Sequence, residues 1–115
     1  MTRVLALADR PSAVFVANNL MTLGALSCIW EAGLSIPGQM AIVGFDDLEW
    51  ASTLQPNLTA LIHPAYEMGA VAARMLLKRI RVPHGPVQSA ELACHLRIGE
   101  SCGSLTSAST ASAAG

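Results

Sequence analysis

At 115 residues the chain is one domain at most. Apolar residues make up 52% and charged residues 13%, which excludes a disordered polymer, and a net charge of −1 without a basic block excludes an independent electrostatic grip on nucleic acid. No apolar run reaches the ~18 residues of a membrane span, and the first seven are too few for a secretory signal with its cleavage site, so the expectation is a cytoplasmic chain with no membrane partner.

Residues 1–9 read as the end of a helix, with Leu5 and Ala6 apolar, broken at Arg10-Pro11-Ser12. Ala13-Val14-Phe15-Val16-Ala17 is a continuous apolar run and predicts a strand buried on both faces. Asn18-Asn19 ends it, and one of the two is an N-cap for the helix that follows. From Leu20 the apolar side chains fall at helical spacing: Leu20, Leu23, Leu26 (or the small Ala25 beside it), Ile29 and Trp30. Cys28, inside this pattern, reads as a small core residue. Gly33 predicts a left-handed C-terminal cap, and Ile36-Pro37-Gly38 a turn. A second strand over 40–44, again apolar throughout, then leaves through Phe45 into Asp46-Asp47.

Strand, helix, strand in this order predicts a right-handed crossover and a parallel pair. The carboxyl edge of the pair then carries both Asn18-Asn19 and Asp46-Asp47. In open parallel sheets that edge lines the ligand crevice. Amide donors and acceptors beside carboxylate acceptors suit a ligand rich in hydroxyls, whereas two acids repel a phosphate. Asp47 reads as a local cap for a helical turn over 48–54. Trp50 reads as interface or core filler before a stacking platform.

Gln55-Pro56-Asn57 predicts a turn, and residues 58–62 a third strand ending at His63-Pro64. Pro64 suits the first turn of the next helix. That helix runs to about Ile80, with Met68, Val71, Ala72, Met75, Leu76 and Ile80 on one stripe. Glu67 in its first turn and Lys78 and Arg79 in its last complement the helix dipole; with Arg81 these cations read as a solvated helix end. Residues 83–86 stop the helix, 87–98 hold a weak last strand, and from Ser101 the Ser/Ala/Gly composition predicts a flexible tail.

The three cysteines, Cys28, Cys94 and Cys102, lack the paired spacing of a zinc site, and a Cys94–Cys102 bridge is disfavoured in a reducing compartment. There is no nucleophile elbow, glycine-rich phosphate loop or metal pair, and Asp46-Asp47 with His63 does not make an acid–base pair. The expectation is no enzyme, no cofactor and no metal. The residues thus predict an α/β fold: a partial parallel sheet with flanking helices. Its uncovered apolar surface predicts a marginal monomer that aggregates or pairs.

The ordered series Pro11-Ser12-Ala13-Val14-Phe15-Val16-Ala17-Asn18-Asn19, Gly24-Ala25-Leu26, Glu31-Ala32-Gly33-Leu34, Ile36-Pro37, Val43-Gly44-Phe45-Asp46-Asp47, Pro56-Asn57-Leu58-Thr59, Gly69 and Leu76-Leu77 resembles the LacI/GalR family of bacterial repressors. The resemblance covers roughly residues 10–80 and, more weakly, 92–102. It implies a piece of the C-terminal lobe of an effector-binding domain of the type I periplasmic-binding-protein kind. Residues 1–63 would belong to that lobe and 64–82 to a helix of the N-terminal lobe. Residues 83–100 would carry the return strand, and 101–115 the tail. Asn18 and Asp46 match positions that bind a sugar-like effector; Asn19 stands where an aspartate is common, and His63 lies near the crossover. Leu23, Trp50 and Leu54 match the face that pairs two copies into a homodimer. DNA would be reached only through a helix-turn-helix that these residues lack. The implied function is a fragment of a sugar-responsive repressor. The alternatives are a fragment of a sugar-binding transport protein, which shares the fold, and a truncated product without stable function.

Overall fold

The computed structural model describes residues 1–46, 51 and 53–104. They fall into two units: residues 1–62 with those from Leu96 onward, and His63–His95. The first unit holds α1 (Thr2–Leu5), β1 (Ala13–Val16), α2 (Asn19–Glu31), β2 (Ala41–Phe45) and β3 (Thr59–Ile62). The second holds α3 (Ala65–Arg81), and β4 (His95–Arg97) follows it. The strands line up in chain order, β1-β2-β3-β4, with β1–β2 and β2–β3 both parallel.

The strand–helix–strand reading holds, as does the left-handed Gly33, whose φ is +67°. Gly33 N–H donates to the Trp30 carbonyl and Leu34 N–H to that of Ile29 (3.1 Å), a Schellman ending for α2. Leu34 then packs against the core beside Ile29.

The core side of α2 differs from the expected stripe. Thr22, Ala25, Leu26 and Ile29 are buried, whereas Leu20, Leu23 and Trp30 stay exposed. Gly44 is the reason. A Cβ there would lie 3.2 Å from Leu58 Cδ2 and 3.4 Å from Thr22 Cγ2. The helix comes so close to β2 that only a small, self-satisfied side chain fits between them. Thr22 qualifies, because its hydroxyl donates to the Asn18 carbonyl at 2.7 Å.

Burial on both faces is also corrected for β1 and β2. Ile42 and Gly44 of β2 are buried, but Ala41, Val43 and Phe45 are only half-buried. In β1 Val16 alone is buried, and Phe15 is 60% exposed. Successive side chains point to opposite faces, and α2 covers only one. Cys28 is half-buried rather than a core residue, and all three cysteines are free. Asp47, Leu48 and Trp50 lie outside the described residues, which include only Ala51, Thr53 and Leu54 of the expected turn.

The tail starts later than its composition implies, because Ser101 is 1% exposed. Its hydroxyl accepts from Thr59 N–H at 2.8 Å and donates to the Ile42 carbonyl at 2.7 Å. Its own carbonyl accepts from Ile42 N–H, and its N–H donates to the Asn57 carbonyl. Gly99 lies flat against the chain before β3, where a Cβ would run into the Asn57 carbonyl. Gly99 N–H donates to Thr59 Oγ1 at 2.9 Å. Thr59 Oγ1 has one proton to share between the Gly99 carbonyl and Cys102 Sγ, both at 3.1 Å. Hydroxyl contacts from Ser104 and then Thr59 hold the Cys102 thiol below its usual pKa, against partial burial, which raises it.

In the second unit Pro64 stands at the N-cap of α3 rather than inside its first turn. No residue of α3 is buried; Leu76 and Ile80 of the expected apolar stripe are largely exposed. The Arg79 guanidinium donates to the Gly85 carbonyl, folding the following segment back on the helix end. A hollow of about 330 Å³ remains there, between Met75, Leu76, Val82 and Val87. The weak last strand contracts to the three residues of β4.

Two glycines should respond with opposite signs. Nothing lies within 4 Å of a Cβ at Gly24, so Gly24→Ala should raise stability by about 0.5–1 kcal/mol through helix propensity. Gly44→Ala should lower it by about 1–3 kcal/mol through overpacking. Denaturant midpoints of the two variants check both. The apolar surface left open on Phe15, Leu76 and Ile80 should make the chain self-associate as concentration rises; a strictly monomeric sedimentation profile would contradict this.

Candidate functional site: the carboxyl rim of the sheet

The register decides which side chains share an edge. Val16 pairs with Gly44, so Asn18 and Asp46, each two residues further on, leave the sheet at the same carboxyl rim. Phe45 pairs with Leu61, and Asp46 N–H donates to the Leu61 carbonyl at 3.0 Å, which ties the rim to β3 as well.

Asn18 is the N-cap of α2. Its backbone is extended, and its Oδ1 accepts from Met21 N–H at 2.8 Å. Asn19 Oδ1 accepts from Leu20 N–H, also at 2.8 Å. Both amide oxygens therefore serve the helix. Each oxygen keeps one lone pair, and the side-chain NH₂ groups are donors, so Asn18 and Asn19 bring mainly donors to a ligand. The exposed Asn18 and half-buried Asn19 follow the strand end directly.

Asp46 supplies the complementary acceptors. It is half-buried and has φ +92°, the one positive φ outside glycine among the described residues. A left-handed backbone costs most residues about 1–3 kcal/mol and persists where neighbours over-determine it. Here the Leu61 carbonyl and the parallel register hold the backbone. Phe45, just before it, meets Phe15 edge to face, with ring centroids 6.4 Å apart and planes at 86°. Alternation puts both rings on the sheet face opposite α2.

The other expected site residues fall elsewhere. His63 opens the second unit, where its carbonyl accepts from Ala65 N–H at 2.9 Å. Leu23 is 44% exposed on α2, available to a partner surface. Leu54 packs against the first unit's core and borders a polar hollow with Thr53, Gln55, Asn57 and Glu100. Sequence reasoning missed Thr59, Gly99 and Ser101, the polar stitches beneath the rim. Their one signal was a threonine at the head of an apolar strand.

Residues 1–102 match the profile of the periplasmic binding protein-like domain. The chain belongs to that family. Its similarity to LacI-type regulators, read from the motif series, holds as well. The HTH-type transcriptional regulator KdgR of Bacillus subtilis (strain 168) is 38% identical over 84 residues, which are 73% of this chain and 25% of the relative. A solved LacI family transcriptional regulator from Enterococcus faecium, with bound ribose, is 29% identical with a TM-score of 0.72, over 86% of this chain and 36% of its own. The transcriptional regulator CelR in complex with cellobiose is 36% identical with a TM-score of 0.71, over 78% and 28%. This periplasmic binding protein-like chain thus spans about a quarter of the length of the curated relatives it matches. Those relatives are named as transcriptional regulators and repressors, not enzymes. Among the described residues no helix is long and apolar enough to cross a membrane.

Replacing Asp46 separates strain from side-chain chemistry. Asp46→Gly and Asp46→Ala both delete the carboxylate, but only glycine relaxes φ +92°. The glycine variant should be more stable than the alanine variant by about 1 kcal/mol in chemical denaturation.

Proposed function

We propose that this chain supplies one wall of the effector site of a sugar-responsive LacI-type repressor. The observation that supports the reading is the shared rim: the parallel register brings Asn18, Asn19 and Asp46 out at the same carboxyl edge of the sheet. A sugar hydroxyl accepts one hydrogen bond and donates another. Amide donors and a carboxylate acceptor on adjacent strand ends match a pair of neighbouring hydroxyls. Two similar solved regulators, one with bound ribose and one in complex with cellobiose, support a sugar as the ligand class.

The assignment extends to the rest of the site and its partners. The family resemblance adds His63 to the effector contacts. The resemblance assigns residues 1–63 and 83–100 to the lobe that carries the rim and 64–82 to a helix of the N-terminal lobe, whereas the chain's compact units divide at His63 and Leu96. Leu23, Trp50 and Leu54 contribute to a homodimer face. The regulator acts in the cytoplasm and reaches DNA through a helix-turn-helix. Effector binding shifts a population between two states of the core, and operator affinity follows. The names of the matched relatives favour this over a transport protein of the same fold.

One wall buries little of a ligand, so binding to this chain should lie in the millimolar range or weaker. Titration with ribose and with cellobiose, followed by amide chemical shifts, should move Asn18, Asn19 and Asp46 and leave α3 unmoved. Asp46→Ala should abolish those shifts. Shifts confined to other residues, or none up to the solubility of either sugar, would overturn the reading.

A further inference from the structure

Ser101 is buried and polar, with hydrogen bonds from both its hydroxyl and its backbone, and nothing in the effector site uses it. It lies some forty residues beyond β3 in sequence, yet its hydroxyl bridges Thr59 N–H and the Ile42 carbonyl (2.8 and 2.7 Å). Its backbone takes Ile42 N–H and gives to the Asn57 carbonyl (2.9 and 3.0 Å). The β2–β3 register starts one residue later, at Val43 opposite Thr59. Ser101 therefore occupies the place where β3 has not yet reached β2. It satisfies three strand amide and carbonyl groups that would otherwise be buried without partners.

We propose that Ser101 is a positioning residue for Asp46. A parallel pair is fixed along its whole length once one end is pinned, because a slip moves every residue. Pinning Ile42 and Thr59 fixes Phe45 opposite Leu61, and the Leu61 carbonyl then holds Asp46 N–H at φ +92°. Ser101 thus acts on the rim from the opposite end of the strands, through the backbone and without touching a ligand. The assignment of a purpose to that rim rests on the effector-site reading; the mechanical coupling does not.

Amide hydrogen exchange of the 115-residue chain without ligand tests the coupling. Ser101→Ala should speed exchange at Asp46 and Thr59 at least about tenfold more than at Leu26 in α2. Ile29→Val serves as a control that weakens the core without touching the stitch; it should speed all three amides alike. Ser101→Thr keeps the hydroxyl and should restore Asp46 protection relative to Leu26. If the alanine variant does not fold, Ser101→Cys keeps the volume with a weak donor and acceptor, and the same ordering is expected. Equal acceleration of Asp46 and Leu26 in the folded Ser101 variant overturns the proposal, as does unchanged exchange at Asp46. Sugar titration of the unsubstituted chain remains a separate readout, so the effector reading can fail while the coupling stands, and the reverse.

Discussion

Gly44 has no side chain, and the first unit is arranged around that fact. It lies opposite Val16 on one side and Ala60 on the other. Thr22 from α2 and Leu58 from the approach to β3 both reach the space a Cβ would fill. Close approach of a helix to a sheet buries apolar area on both, at about 25 cal/mol per Å². It also fixes which helix face turns inward. Because Thr22 must lie over Gly44, Leu20 and Leu23 are rotated outward, which leaves an apolar ridge for another surface.

A polar problem lies at the other end of β2 and β3. Where β2 and β3 separate, Ile42 and Thr59 present backbone groups in a region closed to water. The segment from Gly99 to Cys102 meets them, and it does so with small polar residues: Gly99 because a Cβ collides, Ser101 because one hydroxyl both accepts and donates. A side chain at position 99 would collide, and one without a hydroxyl at position 101 would leave both strand groups unpaired. Each such bond contributes only about 0.5–1.5 kcal/mol net, but leaving a buried group unpaired costs about 1–3 kcal/mol. The stitch therefore matters more for what its loss would expose than for what it adds.

The remaining surfaces are less complete. The sheet face bearing Phe15 and Phe45, and the stripe of α3 bearing Leu76 and Ile80, are built like buried surfaces and are not buried. The chain spans about a quarter of its curated relatives' length. On the proposed reading the rim is in the same position. Asn18, Asn19 and Asp46 form a coherent set of donors and acceptors, but a ligand held from one side keeps most of its hydration.

Local physics was legible in the residues themselves. The period of the apolar pattern marked the strands and helices, the asparagines marked the cap, and Gly33 marked the helix end, since each depends on neighbours a few residues away. Parallel pairing followed from the order of elements, and with it the expectation that Asn18 and Asp46 share an edge. What the linear pattern could not decide was which face turns inward and what lies across it. The stripe on α2 was misjudged because hydrophobicity ranks Leu above Thr, whereas the gap over Gly44 selects for size. Ser101 looked like the start of a tail because composition sees only a small polar residue; its burial depends on strands some forty and sixty positions earlier. Sequence alone settled the elements and the direction of their strands, which short-range forces control; only tertiary structure settled the helix rotation, the one-sided burial and the stitch, because these arise where distant segments compete for the same few ångströms.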